Sequence, residues 1–312
     1  MNILLLGAAG FIGTNLLIEL SKNNNNNITA VDKELRYFEL IDEMRLPNVH
    51  IIQSDMTIET DYNKLVENQD MVFHLVSTTV PTTSNQRIVD ELNGNVILST
   101  LLFEACVKQK VKKVIFFSSG GTVYGKESKC PLNEETPTNP ITSYGVQKVT
   151  IEKLLYLYDY MYGLDYRIIR LSNPYGPYQR PNGVLGAVTT FTYKALKREE
   201  VQIYGDGSVV RDFIYIDDAV RGIIRIANGN DVNKVFNLGC GYGTSITQVL
   251  NAIEKTLDVV IKVKYSEARK VDVPVNYLDI TRYEKSYGKL YPITLEEGIK
   301  KTADFMKTKY AL

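Results

Sequence analysis

Short, mainly apolar runs alternate with longer amphipathic stretches through the first half of this chain. The apolar runs predict strands at 2–6, 28–32, 49–53, 71–75, 113–118 and 166–171. Apolar positions recurring at helical spacing predict helices near 11–22, 36–44, 58–67, 85–108 and 142–162. Strands that are apolar on both faces, each followed by a helix, predict an α/β fold with a doubly wound parallel sheet covered on both sides. Past residue 172 the pattern breaks at Pro174, Pro177, Pro181 and several glycines, and shorter elements follow up to a helical pattern near 295–307. The expected organisation is a first domain over 1–172 and a smaller, interwoven α/β lobe over 173–312, with some segments returning to the first domain. The asparagine run at 23–27 reads as a loop.

Composition narrows the possible functions. With 312 residues the chain can bury a sizeable core, and its 36 basic and 36 acidic side chains cancel. Bulk charge therefore offers no attraction to nucleic acid or to a membrane surface. No apolar run approaches the roughly 20 residues that span a bilayer. The apolar start at 1–6 lacks a basic leader and runs straight into a glycine turn, so it reads as a buried strand rather than a signal peptide. Cys106, Cys130 and Cys240 have neither the number nor the spacing of a disulfide framework or a zinc site, and a reducing cytoplasm is the expected setting. His50 and His74 close or follow apolar runs and read as structural.

The candidate chemistry lies at two places. Gly7-Ala8-Ala9-Gly10-Phe11-Ile12-Gly13 follows the first strand and opens the first helix. Gly7 permits the tight turn, Gly10 lets backbone approach a pyrophosphate, and Gly13 lets the helix pack closely. The helix N-terminus supplies amides for the anion. Asp32 ends the second strand, where an acid accepts hydrogen bonds from an adenosine ribose and repels a 2′-phosphate, which favours NAD over NADP. The second place is Ser143-Tyr144-Gly145-Val146-Gln147-Lys148, with tyrosine and lysine one helical turn apart on the same face. A free phenol has a pKa of roughly 10. Positive charge from the lysine and from an oxidised nicotinamide ring would draw it toward the working range of a base.

The glycine spacing G-x-x-G-x-x-G resembles that of the extended short-chain dehydrogenase/reductases, and further matches run almost the whole length of the chain. They include Ser54-Asp55-Met56, Val72-Phe73-His74-Leu75, the segment from Phe117 to Gly125, and the segment from Arg170 to Pro177. Tyr204-Gly205-Asp206-Gly207 and Arg211-Asp212-Phe213 complete the set. In these the chain is similar to the NAD-dependent nucleotide-sugar epimerases and dehydratases, the UDP-glucose 4-epimerases most of all. The resemblance implies a Rossmann-type sheet that holds NAD and a lobe that holds a UDP-sugar. It implies cofactor contacts at Gly7, Gly10, Phe11, Ile12, Gly13, Asp32, Asp55, Met56, Leu75, Tyr144, Lys148 and Pro174. It implies substrate contacts at Asn173, Val188, Tyr204, Arg211, Arg269, Asp272 and Asn276, with the two arginines on the diphosphate, Asp272 on the nucleoside ribose and Asn276 bearing on sugar size. Tyr144 would be the proton carrier, Lys148 its counter-charge and its hold on the nicotinamide ribose.

The match departs at Gly120, where epimerases usually carry serine or threonine. Thr122 is the first expected substitute for the missing hydroxyl and Ser119 the second. Related dehydratases place an aspartate and a glutamate at the positions of Gly121 and Thr122, and related decarboxylases a glutamate at the latter. The lack of a carboxylate there favours epimerisation over elimination. A different nucleotide sugar, or an NAD-binding sensor that has lost catalysis, are the alternatives. The resemblance also implies a homodimer through the helices at 85–108 and 142–162, for which Ile97, Leu101, Leu102, Leu154, Leu155 and Tyr158 are the apolar candidates.

Overall fold

All the strands expected in the first half form, and they lie in one sheet. They are β1 (Asn2–Leu6), β2 (Asn27–Asp32), β3 (Val49–Gln53), β4 (Met71–His74), β5 (Lys113–Ser119) and β6 (Tyr166–Leu171), joined by β7 (Val235–Leu238). The structure is a computed structural model and describes residues 1–79, 84–126, 129–181, 186–269 and 272–312. The sheet order is β7-β6-β5-β4-β1-β2-β3. The pairings of β1 with β2, β2 with β3, β1 with β4 and β4 with β5 are parallel, so that Leu5 lies beside Ala30 on one side and Phe73 on the other. The order reverses between β1 and β4. Sheets of this class bind ligands beyond the carboxyl ends of the strands at that switch point, which is where the glycine turn follows β1.

The chain divides into two units. The first comprises Met1–Val123, Pro140–Ile169 and Asn230–Val235. Its main core cluster joins Leu4, Leu6, Val72, Val114 and Phe116 of the strands to side chains of two helices, α2 (Leu98–Lys108) and α3 (Ser143–Tyr162), while α1 (Phe11–Ser21) buries Leu16, Leu17 and Leu20 outside that cluster. Leu102, Phe103 and Cys106 of α2 and Ile151, Leu155 and Tyr158 of α3 belong to this cluster. Burying a side chain such as Leu102 stabilises the fold by roughly 1.5–3 kcal/mol. Three residues expected at a dimer face, Leu102, Leu155 and Tyr158, are thus spent inside the chain. Leu101 and Leu154 pack against the same cluster, and Ile97 stays exposed.

Local chemistry explains the helix boundaries. Thr142 caps α3 by accepting the Gly145 N–H at 3.2 Å, and Gly163, at φ 70°, ends it in the left-handed conformation. Of the helix expected at 58–67, only Tyr62–Leu65 forms. The Thr60 hydroxyl accepts the Thr57 N–H, the Thr57 hydroxyl accepts the Glu59 N–H, and this side-chain turn displaces the first helical turn. The helix expected from 85 onward is interrupted by a π turn at Asn93–Ile97, placed just before α2.

The second unit comprises Tyr124–Asn139, Arg170–Gly229 and Phe236–Leu312. It holds short strand pairs, Asn173–Tyr175 beside Phe213–Tyr215 and Val201–Tyr204 beside Val263–Ser266, and a trio of Val210–Arg211, Thr244–Ser245 and Val275–Asn276. The final helix runs Leu295–Tyr310 from a Thr294 cap. Asp212 is the polar knot of this unit. It is fully buried, its carboxylate accepts the N–H groups of Cys240, Gly241 and Leu278, and its own carbonyl accepts the Asn173 N–H. Burial pushes its carboxyl up to about 6.

Candidate active site

In the first unit, β1 delivers the chain into a left-handed turn at Gly7, φ 85°. A Cβ there would meet the backbone of Leu75 and Val76 at 3.3 Å. The N–H groups of Gly7 and Ala8 both reach the Val31 carbonyl, at 2.9 and 3.1 Å, so the turn leans on β2. The Ala9 N–H donates to the Asp32 carboxylate at 3.1 Å, which fixes that acid at the end of β2 beside the turn. Gly13 is held closest: a Cβ on it would lie 2.2 Å from the Gly7 carbonyl oxygen. Helix geometry leaves the N–H groups of Phe11, Ile12 and Gly13 without intrahelical acceptors, and Gly10 places no capping side chain over them. Backbone cradle, open amides and strand-end acid together fit an adenosine diphosphate group of a dinucleotide. Leu75, just past β4, is half-buried and donates its N–H to Leu6 at 3.0 Å. Met56 is buried in the core and Asp55 is exposed, its carbonyl tied to Thr60.

The same unit carries the candidate catalytic groups. Tyr144 sits half-buried in the first turn of α3 and Lys148 one turn on, 5% exposed. The Lys148 Nζ donates to the Phe117 carbonyl at 2.8 Å and lies 4.8 Å from the Phe116 ring centre and 5.5 Å from that of Tyr144. Burial pushes the Tyr144 phenol up to about 12, and a hydrogen bond with the Ser119 hydroxyl pulls it back down. Burial also pulls Lys148 down to about 8, against the pull of Glu152. Ser119, at the end of β5, is thus the hydroxyl on the phenol. The Thr122 hydroxyl is buried and has no hydrogen-bond partner among the described residues. Gly145 is required beside the tyrosine, since a Cβ there would meet Pro140 at 2.6 Å and the Thr122 carbonyl at 3.0 Å.

Sequence reasoning missed a buried polar cluster next to this pair. Gln147 donates to Glu91 at 3.1 Å and to Ser143 at 2.8 Å, and accepts from Asn95 at 2.6 Å. Asn95, on the π turn, accepts the Thr78 N–H at 2.8 Å and so pins the loop that follows Leu75. Glycine at 94 in a helical pattern was the available signal of an irregularity.

In the second unit, the structure gathers five of the predicted substrate residues. Arg211 and Asn276 lie side by side on neighbouring strands. Asp272 accepts from Arg269 through both carboxylate oxygens, at 2.9 and 3.2 Å, and its Oδ1 is 3.7 Å from Arg211. Arg269 lies over the Tyr204 ring at 4.7 Å. Two guanidinium groups around one carboxylate form a ready anion site. Asn276 is buried, as is Val188 in the helix Ala187–Leu196. Asn173 spends its side-chain N–H on the Asp212 carbonyl at 3.0 Å, and Pro174 pairs with Ile214.

A dinucleotide cradle at the switch point of a Rossmann-type sheet, with a tyrosine–lysine pair on one face of a helix, is the arrangement of the NAD-dependent short-chain dehydrogenase type. More narrowly, the chain belongs to the NAD dependent epimerase/dehydratase family, whose model matches residues 3–239. The UDP-glucose 4-epimerase of Mycolicibacterium smegmatis is 32% identical to it over 99% of each chain. The structure of a UDP-glucose 4-epimerase from Thermotoga maritima, solved with UDP-glucose, is 33% identical and superposes with a TM-score of 0.91 over 99% of this chain and 100% of that one. The UDP-glucuronic acid 4-epimerase of Bacillus cereus, solved with UDP-glucuronic acid and NAD, is 26% identical and gives 0.90 over 99% of each. Among the described residues, no helix is long and apolar enough to cross a membrane.

Proposed function

We propose that this chain is a nucleotide-sugar 4-epimerase that interconverts UDP-glucose and UDP-galactose or their N-acetylated counterparts. The observation that carries the reading is the Tyr144 phenol, hydrogen-bonded by Ser119 and faced by the Lys148 ammonium, in the unit that builds the Gly7–Gly13 cradle. When bound, NAD supplies a hydride acceptor that also gives the hydride back. Tyr144 takes the proton of the sugar 4-hydroxyl and later returns it. Lys148 stabilises the tyrosinate and holds the nicotinamide ribose. Ser119 supplies the hydroxyl that Gly120 lacks, and Thr122, whose buried hydroxyl has no partner among the described residues, is the second candidate. Arg211 and Arg269 hold the diphosphate, which draws them away from Asp272 and leaves that carboxylate to the nucleoside ribose. Asn173, Val188 and Tyr204 are further substrate contacts, and Pro174, Asp55, Met56 and Leu75 further cofactor contacts. Asn276 sets the room for the sugar. Gly121 and Thr122 offer no carboxylate to drive loss of water, so epimerisation is favoured over elimination.

Incubation of the purified protein with UDP-glucose, UDP-N-acetylglucosamine and UDP-glucuronic acid in separate vessels, without added NAD, is expected to yield a 4-epimer from one of the first two. Conversion of the glucuronate alone would move the assignment to that sugar. No conversion of any, even with NAD supplied, would defeat the epimerase reading.

We further propose that the enzyme is a cytoplasmic homodimer built on the outward side of α3, where Tyr156, Leu157, Tyr160, Met161 and Tyr162 are exposed, Tyr160 by 77%. Contiguous apolar exposure of this kind marks an association surface. Light scattering at micromolar concentration should give twice the chain mass, and Tyr160→Glu with Met161→Glu should give the single chain mass. A single-chain mass for the wild type would end the dimer proposal.

A further inference from the structure

Beyond Tyr144 and Lys148, helix α3 buries a third ionisable side chain, Glu152, one more turn along. Glu152 is 4% exposed and Lys148 5%. Residues four apart on a helix share a face, with Cβ atoms about 5–6 Å apart. The adjacent strand β5 serves both. The Ser118 hydroxyl donates to the Glu152 carboxylate, and the carbonyl of the preceding residue, Phe117, accepts from the Lys148 ammonium. A carboxylate is costly to bury unless its charge is met, and a lysine loses its proton readily when buried without a counter-charge.

We propose that Glu152 is a positioning residue for the reaction: the buried counter-charge that keeps Lys148 protonated beside Tyr144. This rests on the reading of Lys148 as partner of tyrosine and cofactor. Other groups reach the pair from three strands and from α3. From β4, His74 lies within electrostatic range of Lys148 and is itself pushed down, by burial first and then by the lysine charge. Its Nε2 meets the Ser99 hydroxyl at 2.8 Å while that hydroxyl donates to the Asn95 carbonyl, so His74 is the donor there, and burial holds its pKa near 3, leaving it neutral. From β5 come the Phe116 ring, the Phe117 carbonyl and Ser118. From β6, Tyr166 faces Glu152, its phenol pushed up to about 12 by burial. On α3 itself lie Tyr144 and Glu152. Burial pulls Lys148 down and Glu152 opposes it. Removing the carboxylate therefore lowers the lysine further, and its ammonium is lost at a lower pH as pH rises.

The test is the affinity for NAD, measured by calorimetry from pH 6 to 9.5 on cofactor-stripped protein, with kcat and KM followed in parallel. Wild-type affinity should weaken as pH rises through the lysine pKa. In Glu152→Gln, which keeps an acceptor for Ser118, that weakening should begin about 1–3 pH units earlier, with kcat at pH 8 falling more than at pH 6. Placing the same change in Lys148→Arg, whose guanidinium stays charged, should abolish the shift. Glu152→Asp keeps the charge, so its pH profile should stay with the wild type even if its melting temperature drops, and it serves if Glu152→Gln does not fold. An unshifted profile in Glu152→Gln, or a shifted one in Glu152→Asp, overturns the proposal. So does a wild-type affinity that is flat with pH. Failure of sugar turnover with the NAD shift intact would reject the epimerase reading alone.

Discussion

Tyr144→Phe is expected to lower kcat by about 10²–10⁴-fold while the protein continues to bind NAD and UDP-sugar. The substitution deletes one hydroxyl and leaves the ring, so the packing of the first turn of α3 and its Thr142 cap are kept. What disappears is the group proposed to carry the sugar proton, together with its hydrogen bond to Ser119. The turn of Gly7, Gly10 and Gly13 with Asp32, proposed to hold the cofactor, is untouched, as are the arginines of the second unit. An interaction made only as the proton moves shows in kcat and not in KM. The measurement is steady-state turnover of the sugar identified by product analysis, beside the NAD content of the purified protein. A variant with half the wild-type kcat would remove Tyr144 from the mechanism.

The parts legible in the sequence are those where one short segment carries both cause and consequence. A run with four consecutive apolar residues, such as Val114–Phe117 within 113–118, suits a doubly covered sheet, and β5 forms there. The glycine turn was readable because the strand before it and the helix after it are in the same stretch of twenty residues. What stayed hidden depends on pairs far apart in the chain. Gln147 and Glu91 look like solvated helix residues, and only their meeting across 56 positions makes them a buried cluster. Residues 124–139 belong to the second unit partly because Tyr124 donates to Asn237, 113 positions away. That Ser119 rather than Thr122 hydrogen-bonds the Tyr144 phenol goes with the path of the chain after β5, which curls so that the Thr122 and Val123 N–H groups both point back to the Ser119 carbonyl. No residue pattern encodes such a curl in advance. Glu152 was overlooked for the opposite reason: a glutamate on a long helix is so ordinary that nothing short of its burial draws attention to it.

Gly13→Ala should cost the protein its NAD and a measurable part of its stability, whereas alanine at Gly163 should cost stability alone. The added Cβ at Gly13 would lie 2.2 Å from the Gly7 carbonyl oxygen and 2.9 Å from the Ala8 backbone. Both obstacles are main chain, so no side chain can swing aside. Helix α1 must move off the turn, at about 1–3 kcal/mol for an overpacked contact, and its N-terminal amides move with it. Their alignment on a pyrophosphate is the source of binding, so affinity falls with the displacement. Gly10 is the graded comparison, since a Cβ there would stand 3.2 Å from the same carbonyl, and a few tenths of an ångström of adjustment would relieve it. Gly163 is the control, because its surroundings are open and only its φ of 70° resists a side chain. Alanine there should cost about 1 kcal/mol and leave NAD content at the wild-type level. Released NAD per chain, together with urea unfolding of all three variants, separates the two effects: a stability loss shared by Gly13 and Gly163 with cofactor lost only at Gly13 locates binding in the turn. Full NAD content in a folded Gly13→Ala protein would show that the cofactor does not need the close approach of α1 to β1.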